Sequence, residues 1–100
     1  MTATEIIETV SNLTGITPEE MKTPGRNSRR VMARTLAANE IRTSCMGFSL
    51  QDIGDLFGMG HSNIAHTLTR HRTLMQVDSA YQRAAKHLSQ MNLQHQYQYQ

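Results

Sequence analysis

The stretch SLQDIGDLFGMGHSNIAHTLTRHRTL, residues 49–74, decides the fold. Ser49 can cap a helix, and Leu50, Ile53, Leu56 and Phe57 then recur at the helical period. Gly58-Met59-Gly60 interrupts that pattern as a tight turn. A second helix begins at His61 or Ser62 and runs to Met75. At about 100° per residue from Ile64, the side chains of Leu68, His71 and Met75 stay within about 40° of it and form a buried face. Ser62, His66, Thr69, Arg70 and Thr73 fall on the far side, with Asn63 at the edge. Two short helices joined by a glycine turn, the second with a polar outer face, predict a helix-turn-helix.

The histidines in this stretch invite a metal reading, which their spacing rejects. His61, His66 and His71 are five residues apart, so successive rings point about 140° away from one another. Helical zinc sites use a spacing of four, and the single cysteine, Cys45, has no partner for a CxxC pair. No metal and no cofactor is expected. Nor is an enzyme: GxSxG, GxxxxGK[ST], HExxH and convincing paired carboxylates are all missing. Ser62 and His66 share a face but lack an orienting acid, and Asp52 and Asp55 read as the solvated side of their helix.

Outward from the motif the chain is helical throughout. Thr2-x-x-Glu5 is a capping box, followed by Ile6, Val10 and Leu13 on one stripe and Gly15 as a terminator. Thr17-Pro18-Glu19-Glu20 opens a short second helix. A basic loop, Lys22 to Ser28, contains the Pro24-Gly25 turn, and Ser28 is placed to cap a third helix over 29–44. Ala33, Leu36, Ala37 and Ile41 form its apolar side. Asp78 or Ser79 caps a sixth helix with Tyr81, Ala84, Ala85, Leu88 and Met91 as its stripe. The expected architecture is all-α, a six-helix bundle over 1–91, with 92–100 (NLQHQYQYQ) as a polar, disordered tail. Cys45 reads as a small buried side chain and excludes an internal disulfide. No apolar run is long enough for a membrane span, and MTATEIIETV has no signal-peptide character, so a cytoplasmic location is expected.

The charge pattern points to a partner. The net charge is only +2, but residues 1–21 carry four glutamates and no base. Lys22, Arg26, Arg29, Arg30, Arg34 and Arg42 then face Glu40 alone over 22–42. Segregated positive charge beside a polar helix is the footprint of a polyanion site. An α-helix fits the DNA major groove, where Ser, Asn, His and Arg hydrogen-bond base edges, and helix N-termini attract phosphate.

These residues resemble the C-terminal DNA-binding domain of the bacterial replication initiator DnaA. Ser49, Leu50, Ile53, Gly54, Phe57, Gly58, His61, Ser62 and His66 fall on that family's pattern, and TVSNLTGITPEEMKTPGRN and RRVMARTLAANEI are similar to its upstream helices. The likeness spans about residues 4–90. It implies a six-helix bundle, of the Trp-repressor-like kind, that binds short duplex sites in replication origins. It further implies that His61 and Ser62 read the major groove and that Asn63 and Arg30 meet phosphates. Lys22 or Arg26 would probe the minor groove, and Leu50 and Gln51 would approach the backbone. Gly60 stands where the family has an aspartate that helps to read the site, and the turn is one residue shorter.

The chain is therefore expected to bind double-stranded DNA through a recognition helix over 61–75, with His61, Ser62, Asn63 and His66 reading bases or adjacent phosphates. Lys22, Arg26, Arg29, Arg30, Arg34 and Arg70 supply the basic surroundings, and Leu50 and Gln51 complete the DNA-binding set. The likeness covers the family's DNA-binding domain without its ATPase module, so a stand-alone, nucleoid-associated regulator of transcription or replication is expected, with an excised domain as the other reading and replication or transcription proteins as further partners. The alternative is a protein-interaction module on a helix-turn-helix scaffold that no longer binds DNA.

Overall fold

In a computed structural model, the described backbone covers residues 1–25 and 27–98, with side chains described through 95. Six helices occur among the described residues: α1 Ala3–Thr14, α2 Pro18–Lys22, α3 Ser28–Ser44, α4 Leu50–Phe57, α5 His61–Val77 and α6 Ser79–Gln98. The all-helical bundle with a helix-turn-helix is the fold that the pattern predicts.

Local chemistry accounts for most of the helix ends. Thr2 with Glu5, Thr17 with Glu20 and Ser49 with Asp52 each close a capping box, satisfying first-turn N–H groups that have no partner within their helix. The hydrogen bonds from the Thr2 and Ser49 backbone N–H groups hold the Glu5 and Asp52 carboxyls below their ordinary pKa. Gly15 and Gly58 end α1 and α4 in the left-handed region, where a side chain is strained. One cap moves: Asn27, not Ser28, accepts from the Arg29 and Arg30 N–H groups, and Ser28 is already helical.

α3 is the central element, packed by every other helix. Ala33, Leu36, Ala37, Ala38 and Ile41 are buried, and so are Arg34, Thr35 and Glu40. Burial on nearly all sides explains why α3 lacks one clean apolar stripe, and its alanines let neighbours approach closely. Ile6, Val10, Met21, Ile53, Phe57, Ile64, Tyr81 and Leu88 close the core around it. Leu13 departs from the expected stripe. It is exposed, while Ala3 and Ile7 are buried in its place, because the buried face of α1 shifts toward its N-terminal half.

The expected boundary at residue 91 is also displaced, for α6 continues to Gln98. Asn92 is buried and ties three parts of the chain together. Its Nδ2 donates to Glu40 Oε1 at 3.2 Å, and its Oδ1 accepts from the Met1 ammonium at 2.9 Å. Ser89 donates to the other Glu40 oxygen at 3.3 Å. This network gives polar residues a reason to stay helical that composition does not display. Tyr99 and Gln100 of the expected tail lie outside the described residues.

Candidate nucleic-acid interface

α4 and α5 are joined by a turn that folds back closely on α4. Gly58 takes the left-handed conformation, and the Met59 N–H donates to the Gly54 carbonyl at 2.8 Å. A Cβ on Gly54 would collide with the Met59 carbonyl oxygen, so this glycine serves a close backbone approach, not a turn angle. The turn buries Ile53 and Phe57 beneath α5 and leaves the start of α5 in solvent.

The N-terminal end of α5 is open chemically as well as sterically. Gly60 is its N-cap and provides no side-chain hydrogen bond, and the first turn carries no acid. His61, Ser62, Asn63, His66, Thr69, Arg70 and Thr73 are exposed, as the helical wheel predicts. On the opposite face Ile64 and Thr67 are buried, and Leu68, His71, Leu74 and Met75 are partly covered. Thr67 is buried although polar because its hydroxyl donates to the Asn63 carbonyl at 2.9 Å. His71 is part of the scaffold. Its Nδ1 lies 2.7 Å from the Tyr81 hydroxyl, and burial lowers its pKa against the opposing pull of Glu40. Burial likewise raises the Tyr81 pKa, so the phenol keeps its proton.

The basic residues divide into two groups. Lys22 is exposed at the end of α2 and shares a cleft of about 250 Å³ with Pro24, Gly58, Met59 and Asn63, which places it beside the recognition helix. Arg30 is half-buried with its guanidinium near Gly25, and Arg70 lines a neighbouring cleft with Gly25 and Ser28. These three converge on the start and one flank of α5. Arg26 lies outside the described residues.

Arg34 and Arg29 correct the sequence reading. Arg34 is buried; its Nε donates to the Met21 carbonyl at 2.7 Å and its Nη2 to the Thr23 carbonyl at 2.8 Å. It therefore serves carbonyls that the short α2 leaves without partners and fixes the loop that follows. Desolvation, then repulsion by Arg30 and Arg70, lowers its pKa. Arg29 is exposed but turned away; its Nη2 donates to the Thr14 carbonyl at 3.2 Å, beside Ile16, Ala80 and Ala84. Spacing put both arginines on a basic helix, yet only packing could show that Arg34 is buried on backbone carbonyls and that Arg29 reaches back to the end of α1.

Leu50 packs against the core, half-buried, and Gln51 is exposed and donates to Asp55 Oδ1 at 2.9 Å. Two arginines that sequence reasoning did not select stand near this end of α4. Arg42 and Arg72 line a common groove with Leu50, Ala65 and Thr69. A wheel of α5 carries the signal, since Arg72 follows Ala65 and Thr69 on one flank. Among the described residues, no three His, Cys, Asp or Glu side chains come together to hold a metal ion.

Residues 3–70 match the family described as the bacterial DnaA protein helix-turn-helix. The chain belongs to this family. The match takes in α1 to α4 and the first part of α5, so α4, the turn, the start of α5 and the basic loop lie within it. A DnaA-type helix-turn-helix is a DNA-binding module that the initiator uses on double-stranded DNA. A comparison with curated proteins finds no match. No helix of the described residues is long and apolar enough to cross a membrane.

Proposed function

We propose that this DnaA-type domain is a sequence-specific double-stranded DNA-binding regulator that inserts the start of α5 into the major groove. The observation that carries the reading is the uncapped, acid-free start of α5, with His61, Ser62 and Asn63 exposed on it. Backbone N–H groups at such an end favour phosphate, and these side chains are suited to base edges. His66 follows one turn later on the same outer face. Lys22, Arg30 and Arg70 contact phosphates beside the helix, with Arg26 as the loop's candidate minor-groove probe. Leu50 and Gln51 bring α4 to the backbone, while Arg29 and Arg34 hold the scaffold. In this reading phosphate contacts supply most of the affinity and base contacts the specificity. The regulated process is transcription or replication at sites of that kind.

The test is selection from randomised duplex DNA at about 100 mM salt, where specific and electrostatic binding both register. The wild-type chain is expected to enrich a motif. Ser62→Ala should relax one position of it, costing about 1–3 kcal/mol of discrimination. Arg30→Ala should weaken binding to all sequences alike. A wild-type chain that neither enriches a motif nor retains duplex overturns the proposal and turns the search to a protein partner.

A further inference from the structure

We propose that Arg42 and Arg72 form a second phosphate-binding site for the same duplex, on the flank of α5 opposite Lys22, Arg30 and Arg70. The proposal rests on the DNA-binding reading and extends it. The groove between α3, α4 and α5 has a volume of about 420 Å³ and is lined by Asn39, Arg42, Thr43, Leu50, Thr69 and Arg72, among others, with no carboxylate in its lining. Arg42, Thr43, Thr69 and Arg72 are exposed. Among the described residues neither arginine has an ion-pair partner.

Arg42 is also held in place. Its Nη1 donates to the Phe48 carbonyl at 3.0 Å, which anchors the guanidinium beside the entry to α4 and leaves most of its five N–H donors unspent. Arg72 comes from the far side of the groove, on α5 itself. Two guanidiniums with no acid beside them form a donor-rich site, and phosphate oxygens accept only; the Thr43 and Thr69 hydroxyls donate to carbonyls of their own helices and leave the arginines as the donors.

The position relative to α5 selects the occupant. On the wheel, Arg72 and Asn63 lie about 180° apart, with Ser62, His66 and Thr73 between them on the outer face. A helix about 10–12 Å across nearly fills a major groove about 12 Å wide, so the two sugar-phosphate backbones pass along its two flanks. Lys22, Arg30 and Arg70 meet one backbone. Arg42 and Arg72 meet the other, next to the Leu50 end of α4.

The experiment measures duplex affinity between about 50 and 200 mM salt for the full chain and for Arg72→Gln and Arg42→Gln, on a duplex carrying the selected motif. Each lost phosphate contact should make the slope of log affinity against log salt shallower by about 0.9, so the variant loses about 3.5-fold less affinity over that range. The selected motif should stay the same. Arg42→Gln also removes the bond to Phe48, so Arg72→Gln, at an exposed position without such a bond, decides the matter. An unchanged slope for Arg72→Gln, with Arg30→Ala still reducing it, overturns this site and leaves the DNA reading standing. A changed motif for Arg72→Gln overturns it too, since that is base reading. Failure of the wild-type chain to bind duplex overturns both.

Discussion

Two glycines of the helix-turn-helix, Gly54 in α4 and Gly60 at the start of α5, do opposite things, although the sequence presents them alike. A Cβ at Gly54 would press into the Met59 carbonyl, whereas Gly60 has an ordinary φ of −73° and open space around its Cβ position. Gly54→Ala should therefore destabilise the fold by about 1–3 kcal/mol or more, because the turn must move to admit one methyl. Gly60→Asp should add a few tenths to about 1 kcal/mol by capping α5 and opposing its dipole. Urea denaturation of both variants checks the pair, and a Gly54→Ala protein as stable as wild type would refute the packing argument. Gly54 was legible as part of a family pattern, but the collision that requires it depends on where the chain returns after the turn. Arg34 teaches the same lesson. Its charge and helical position were plain in the sequence, while its two carbonyl partners, 11 and 13 residues away, appear only when the loop folds over it.

Among the elements, α6 departs most from its composition. A polar, glutamine-rich end has no stripe to hold it, yet the helix reaches Gln98. Asn92 supplies the missing anchor by joining Glu40 of α3 to the Met1 ammonium. Asn92→Leu should cost about 1–3 kcal/mol, as the buried carboxylate and the ammonium lose a partner, and should shorten α6. Loss of helical circular dichroism relative to an exposed control, Gln94→Ala, reads this directly. Equal stability and helicity in the two variants would remove the anchor from the account. α1 to α5 were legible because each shows at least one local signal, a cap, a period or a stop. The reach of α6 was not, since the side chains that hold it, Asn92 foremost, meet partners on α3 and at the N-terminus far away in the chain, Glu40 52 residues from Asn92.

The whole molecule has a radius of gyration of 12.5 Å, close to the size expected of a compact 100-residue chain, and its pH response follows from what that packing buries. His71 of α5 faces Tyr81 of α6, and burial holds its pKa below the ordinary 6.5. The unfolded chain therefore takes up a proton that the folded chain resists. Its contribution to stability is complete above about pH 6.5 and declines as pH falls through that value toward the folded pKa. Melting curves should show a loss of stability from pH 7.5 to 5.5 that is smaller in His71→Gln; equal pH slopes would show that His71 is not the group responsible. The Glu5 and Asp52 caps, both with lowered pKa, add a further loss at lower pH, below the ordinary carboxylate range.

By itself the sequence determined the six-helix order, the helix-turn-helix, the exposed face of α5 and the family, because these depend on local caps, period and turn chemistry. Only the tertiary structure decided which arginines are available. Arg29 and Arg34 spend donors on the backbone of other elements, and Arg42 and Arg72 meet across a groove, since an arginine's role is set by what packs against it and not by its spacing.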